Sequence, residues 1–197
     1  MLIKRLAVLV SGGGTNLQAI IDAKNRGEIP HGELSLVLSS KEGAYALTRA
    51  ENAGIETAVV RYKGNPDFED ELLSVLEEKQ IDLIVLAGFL CILSKRVTDR
   101  YAERILNVHP SLIPSFCGAG FYGLRVHEAA LEYGVKVTGA TVHFVNEIPD
   151  GGRILLQQAV EIQAGDTPEM LQKRVMEQAE WKILPAAVEL VSSNLLK

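Results

Sequence analysis

Cysteine is scarce in this chain of 197 residues: there are two, Cys91 and Cys117. Their spacing fits no zinc motif, so they read as free thiols in a reducing compartment. Four histidines, His31, His109, His127 and His143, include no i, i+4 pair. His127-Glu128 also lacks the second histidine of a metalloprotease motif. No metal is expected. Positive charge is in deficit, with 20 lysines and arginines against 25 aspartates and glutamates and a net charge of −5. That argues against a nucleic-acid surface while leaving room for a small anion held by backbone N–H groups. Long apolar runs are missing too. The stretch from Ile81 to Leu93 is broken by Asp82 and Gly88, so no membrane helix is expected. The stretch Met1 to Val10 is short, carries Lys4 and Arg5, and runs into glycines, which is not a secretory leader. Internal repeats, low-complexity tracts and linkers are absent. With 47% hydrophobic and 23% charged residues, the chain reads as one globular domain over 1–197, cytoplasmic and without a membrane partner.

What is present is an alternation of strands and helices. Leu6 to Val10 is a continuous apolar run, as a strand buried on both faces requires. After the turn Ser11-Gly12-Gly13-Gly14, residues Leu17, Ile20 and Ile21 have helical spacing. A second strand is expected at Leu34 to Leu38 and a helix at Ala44 to Ala53, stopped by Gly54. Thr57 to Val60 makes a third strand. Asn65-Pro66-Asp67 opens a helix whose buried stripe is Phe68, Leu72, Leu73, Val75 and Leu76. Asp82 to Ala87 and Ile105 to Val108 are strands four and five. Val137 to Val145 and Ile154 to Ile162 flank a polar turn at Asp150-Gly151-Gly152. One long helix closes the chain, with a capping box at Asp166 and Glu169 and a late kink at Pro185. The pattern is that of an α/β, Rossmann-like, doubly wound sheet, mostly parallel with an antiparallel edge and a long C-terminal helix.

Three motifs carry chemistry. The first, Gly12-Gly13-Gly14-Thr15-Asn16, joins the first strand to the first helix, where free N–H groups attract anions. Leu17 stands where a dinucleotide fingerprint needs its third glycine, and no Walker lysine is present, so the loop suits one phosphate. A plain tight turn capped by Thr15 is the structural alternative. The second, Asn107-Val108-His109-Pro110-Ser111, ends the fifth strand, and in open sheets ligands sit beyond such ends. Asn107 and His109 are two apart on an extended chain and so face the same way, offering an amide and an imidazole that titrates near neutrality. The third, Glu147-Ile148-Pro149-Asp150-Gly151-Gly152, is a rigid turn around a carboxylate. His143, on the alternating strand before it, reads first as a structural histidine.

In order along the chain, VLVSGGGTNLQAIIDA, LAGFLCILS, NVHPSLIPSF and GATVHFVNEIPDGG together resemble the glycinamide ribonucleotide transformylase family of folate-dependent formyltransferases, from Leu6 to about Pro185. The resemblance implies transfer of a formyl group from 10-formyltetrahydrofolate to a phosphorylated ribosyl amine in purine biosynthesis. It implies Asn107, His109 and Asp150 as the catalytic set. It implies Gly12, Gly13, Gly14, Thr15, Asn16, Pro110, His143 and Glu180 on the ribonucleotide. Leu90, Cys91, Ile92, Leu93, Val145, Asn146, Glu147 and Asp150 fall on the folate. Glu180, matched to a ribose ligand, is displaced by one residue from the family spacing. Cys91 stands where some relatives carry arginine, and Pro149 where an aliphatic residue is usual. Ser115 to Gly123 replaces a shorter Pro-Gly-Leu-His stretch and is similar to that of formyltetrahydrofolate deformylases. Deformylation is therefore one alternative, disfavoured by the lack of an amino-terminal regulatory domain. A non-catalytic nucleotide-binding module is another, which leaves Asn107, His109 and Asp150 unexplained as a set.

Overall fold

The computed structural model describes residues 3–195. Two positions at each end, included in the one-domain reading of 1–197 and in the reading of Met1 to Val10, lie outside them. Seven strands form one sheet in the order β3-β2-β1-β4-β5-β6-β7. They are β1 (Lys4–Val10), β2 (Gly32–Ser39), β3 (Thr57–Val59), β4 (Leu83–Leu86), β5 (Ile105–His109), β6 (Val137–Phe144) and β7 (Ile154–Glu161). The first five pair in parallel. β6 runs antiparallel to β5, and β7 antiparallel to β6, so the expected antiparallel edge is present.

The unbroken apolar run of β1 is explained by its place at the centre of the sheet. Leu6 to Val10 are all 0% exposed, because both faces of the sheet are covered. On one face pack α1 (Thr15–Asn25), α2 (Tyr45–Asn52), α6 (Pro168–Val175) and α7 (Trp181–Asn194), meeting Val8, Val10, Val37, Val85 and Leu106. On the other pack α3 (Phe68–Glu78) and α4 (Lys95–Arg100), meeting Ala7, Leu9, Leu36, Ile84 and Ile105. Each fully buried aliphatic side chain contributes roughly 1.5–3 kcal/mol relative to exposure. Strand order reverses between β1 and β4, which opens the crevice where parallel sheets bind ligands.

Four local features depart from the sequence reading. α4 and α5 (Leu124–Tyr133) were not anticipated: α4 is under two turns long, and α5 buries only Val126, His127 and Ala130. Asp150-Gly151 does not close a tight hairpin; it lies inside the longer connection 145–153 between β6 and β7. The last helix is capped by Thr167, whose hydroxyl accepts from the Met170 N–H at 3.3 Å, and not by Asp166. Asp166 instead accepts from Arg174 and from the Gln163 N–H. Finally, the helix departs from α geometry before Pro185, through a π turn over Met176–Glu180 that joins α6 to α7. Among the described residues no helix is long and apolar enough to cross a membrane.

Candidate active site

The glycine loop is held from behind. Gly14, at φ 73°, is the cap of α1, and Thr15 is the first helical residue, so Thr15 is not the cap. A Cβ on Gly14 would stand 2.6 Å from the Cβ of Ala46, so glycine is required there by both conformation and space. The Ala46 N–H donates to the Gly12 carbonyl at 3.1 Å, and Arg49 Nε donates to the Gly13 carbonyl at 2.8 Å. With the carbonyls turned towards α2, the N–H groups face the other way. The first helical bond of α1 is Gln18 N–H to the Gly14 carbonyl, 2.9 Å, which leaves the N–H groups before it without a helical acceptor. On the open side, a Cβ at Gly12 or Gly13 would meet nothing within 4 Å. That bare backbone, on a loop fixed to the crevice through Ser11 N–H to the Gly88 carbonyl at 3.1 Å, suits the close approach of an anion.

The loop is joined to the C-terminal helix. Asn16 Nδ2 donates to Glu180 Oε2 at 2.6 Å, across 164 residues of chain. Glu180 is 6% exposed. Burial pushes its carboxyl up to about 7, against the Asn16 hydrogen bond, which favours the charge. Glu180 is the last residue of the π turn, which leaves α6 and α7 both with buried faces while its side chain meets Asn16.

The second half of the site lies at the carboxyl ends of β4 and β5, where Asn107 pairs with Leu86, the last residue of β4. Asn107 and His109 do project together, and across the antiparallel pairing Asn107 opposes His143 and His109 opposes Thr141, so all four share one face. Asn107 Nδ2 lies 3.2 Å from His143 Nε2. His143 Nδ1 lies 2.8 Å from the Phe144 carbonyl, so Nδ1 donates there and Nε2 is free to accept from the Asn107 amide. Asp150, at φ 55°, reaches both histidines: Oδ2 is 3.4 Å from His109 Nδ1 and Oδ1 is 3.6 Å from His143 Nε2. The Gly118 N–H donates to Asp150 Oδ2 at 2.8 Å. His109 Nε2 faces the Phe116 carbonyl at 2.9 Å. Pro110 comes next as a half-buried bend.

Burial pulls His109 below the ordinary histidine range, opposed by the Phe116 carbonyl and by the Asp150 carboxylate. Burial also works against the charge of Asp150. The nearby His143 ring and the Gly118 N–H, with the charge of His109, outweigh it and hold the carboxyl below its ordinary range. A third imidazole, His127 of α5, is 0% exposed with neither ring nitrogen partnered. Burial, with some help from His109, pushes it down to about 4, so it is neutral.

A cavity of about 130 Å³ opens against this cluster. Of the residues expected on the folate, Cys91, Ile92, Leu93, Val145, Asn146, Glu147 and Asp150 line it, together with Asn107 and His143. Leu90 does not; it is 66% exposed outside, its N–H on Ser11 Oγ at 3.1 Å. His109 does not line it either, since Asp150 and the Phe116 carbonyl stand around it. Ile148 and Pro149, of the turn the sequence picked out, line the cavity as well, and Leu86 and Phe89, which the sequence did not single out, complete the wall. Nor did the sequence single out Phe116 and Gly118 as polar partners. A larger hollow of about 300 Å³ lies against α1, lined by Thr15, Arg49 and Trp181 among others; none of the catalytic set borders it.

The profile of the formyl transferase family matches residues 4–188. The chain is 46% identical over 196 residues to the trifunctional purine biosynthetic protein adenosine-3 of Homo sapiens, an alignment covering 98% of this chain and 19% of that protein. It is 42% identical to the phosphoribosylglycinamide formyltransferase of Haemophilus influenzae, covering 98% of this chain and 90% of that one. The chain therefore spans about a fifth of its trifunctional relatives and most of the single-function one. Among solved structures, glycinamide ribonucleotide transformylase 1 of Symbiobacterium toebii superposes with a TM-score of 0.89 at 39% identity, over 98% of this chain and 89% of that one. Phosphoribosylglycinamide formyltransferase of Bacillus halodurans gives 0.89 at 36% identity, over 98% and 97%. Agreement of this extent, in sequence and in fold alike, makes the chain a member of the formyl transferase family.

Proposed function

We propose that this chain is a phosphoribosylglycinamide formyltransferase, moving the formyl group of 10-formyltetrahydrofolate onto the primary amine of glycinamide ribonucleotide in purine biosynthesis. The observation that carries the proposal is the meeting of Asn107, His143 and Asp150 at one cavity, with His109 buried directly behind Asp150. In this reading the amine attacks the formyl carbon, and negative charge develops on the formyl oxygen. Asn107 has one amide hydrogen on His143 and a second for that oxygen. Asp150 favours the charged form of His109, which adds positive charge to the region, and it relays the amine proton through a water to the folate nitrogen; that nitrogen then leaves with the bonding pair as the formyl C=O re-forms on the amine. No covalent enzyme intermediate is required, so neither cysteine is a nucleophile. No metal is assigned.

The phosphate lies on the N–H groups of the loop Gly12 to Asn16, and Glu180 takes the ribose hydroxyls. The small cavity accepts the bicyclic head of the folate, with the rest of that molecule running over Ile92 and Ile148, which are 68% and 59% exposed at its rim. Residues 1–197 act as one domain, in the cytoplasm, on small molecules and without nucleic acid or membrane. The test is release of tetrahydrofolate from 10-formyltetrahydrofolate with and without glycinamide ribonucleotide. Fast release only with the ribonucleotide, with formylated product, is the expected result. Equal rates and no formylated product would assign the chain to deformylation instead.

A further inference from the structure

The backbone of the segment 115–123 touches both His109 and Asp150. We propose that it is a working part of the catalytic centre: the Phe116 carbonyl and the Gly118 N–H position His109 and Asp150, and the Phe116 side chain pins them in place. This rests on the reading of His109 and Asp150 as catalytic.

The geometry is specific. A carbonyl oxygen only accepts, so the Phe116 carbonyl, 2.9 Å from His109 Nε2, requires a hydrogen on that nitrogen. The other ring nitrogen, Nδ1, faces Asp150 Oδ2 at 3.4 Å. In the neutral ring that hydrogen stays on the carbonyl and Nδ1 turns a lone pair towards the carboxylate; in the charged ring Nδ1 carries a hydrogen as well. The carbonyl therefore fixes the tautomer and offsets part of the burial that disfavours the charged ring. It ties off Nε2, so Nδ1 is the nitrogen left towards Asp150, at a separation longer than a charge-assisted hydrogen bond of about 2.8 Å. Two residues on, the Gly118 N–H fixes the same carboxylate oxygen at 2.8 Å. One short loop thus holds both members of the pair. The ionisable groups around His109 are Asp150 from the connection 145–153, His143 from β6 and His127 from α5.

The loop has its own anchor. Phe116 packs edge-on against Phe121, centroids 6.4 Å apart, and against Tyr133 of α5, 5.9 Å apart. The Ser115 carbonyl accepts from Ser111 Oγ at 2.5 Å, and the Phe121 N–H donates to the Gly118 carbonyl at 3.2 Å. Phe116 has a φ of 49°, a backbone state disfavoured for a bulky residue. The ring, not backbone preference, is what keeps its carbonyl on His109.

The test is Phe116→Gly, which removes the anchor and suits the left-handed backbone, with Phe116→Tyr as the conservative variant. The alkaline limb of the kcat/KM–pH profile should move to lower pH by roughly one unit, the size of one hydrogen bond to a charged group. kcat should fall about tenfold or more, with KM for either substrate little changed, and Phe116→Tyr should restore both. Tyr133→Ala, on an exposed face, should move the profile in the same direction by less and does not put the fold at risk. Titration of the His109 ring nitrogens by NMR reads the same shift without turnover. An unmoved profile and NMR titration in Phe116→Gly, or a rise in kcat, overturns the proposal. His109→Ala separates it from the reading beneath it: full turnover there removes both, whereas loss of turnover there with an unmoved Phe116→Gly profile removes only the role of the segment.

Discussion

At the glycine loop the exposed groups are main-chain N–H groups at the junction of β1 and α1, with their carbonyls fastened to α2 by Ala46 and Arg49. At the small cavity the converging groups are side chains: Asn107 and His143 from facing strands, and Asp150 from the connection 145–153. Ile148, in that connection, stays largely exposed. The first half is a consequence of where regular elements end. The second is assembled by contacts between segments far apart in sequence. The difference teaches that binding of a phosphate can be built into backbone geometry, while proton traffic must be built from titrating groups whose environments are set one at a time.

That contrast breaks most sharply in kinetics. His109→Ala, Asn107→Ala and Asp150→Ala should each lower kcat by roughly 10²–10³-fold, with KM for the ribonucleotide nearly unchanged. Double variants should lose less than the product of the singles because the groups act together. Near wild-type turnover in His109→Ala would remove the comparison altogether.

Next in size is the proton on Glu180. Its carboxyl lies at about 7 in the folded chain against an ordinary 4.5. Below about 4.5 both folded and unfolded chains hold the proton, and stability from this group is complete. Between 4.5 and 7 the unfolded chain ionises first, so stability falls as pH rises, by on the order of 3 kcal/mol in total. Glu180→Gln keeps an acceptor for Asn16 and should flatten that fall. Urea midpoints at about pH 4 and about pH 8, on either side of that window, measure it. An equal decline in variant and wild type would contradict the burial argument.

Gly14→Ala sharpens the other side. A left-handed non-glycine costs about 1–2 kcal/mol, and the new Cβ meets Ala46. KM for the ribonucleotide should rise about tenfold, and KM for the folate should stay where it is. The smallest effect belongs to the rim: Ile92→Ala should raise KM for the folate severalfold, about 1 kcal/mol for a partly buried aliphatic contact, and leave ribonucleotide KM and kcat alone.

Much of the scaffold was legible because its signals are periodic. The five parallel strands declare themselves by apolar runs, and the two-residue spacing of Asn107 and His109 placed both on one face. Those signals do not extend to what covers a side chain. Nothing in NVHPS indicates that the Phe116 carbonyl sits on His109, since that contact depends on the path of 115–123. Capping was ambiguous by one residue because Asp166 and Thr167 both carry acceptors, and Arg174 took the first. α5 escaped notice because its buried side includes a histidine, His127, and few large apolar residues.

The π turn at Met176–Glu180 works as a phase shifter. Each residue added to a helix rotates every later residue by about 100°, enough to turn the packing face of α7 out of the core. Widening a single turn absorbs that rotation locally. The two ends of the last helix then keep their own alignments with the sheet, and Glu180, at the junction, can be aimed independently of either. A chain arranged in this way tolerates gain or loss of one residue beside Glu180 without repacking its interior, so length variation here re-aims the partner of Asn16 and leaves the core sequence untouched.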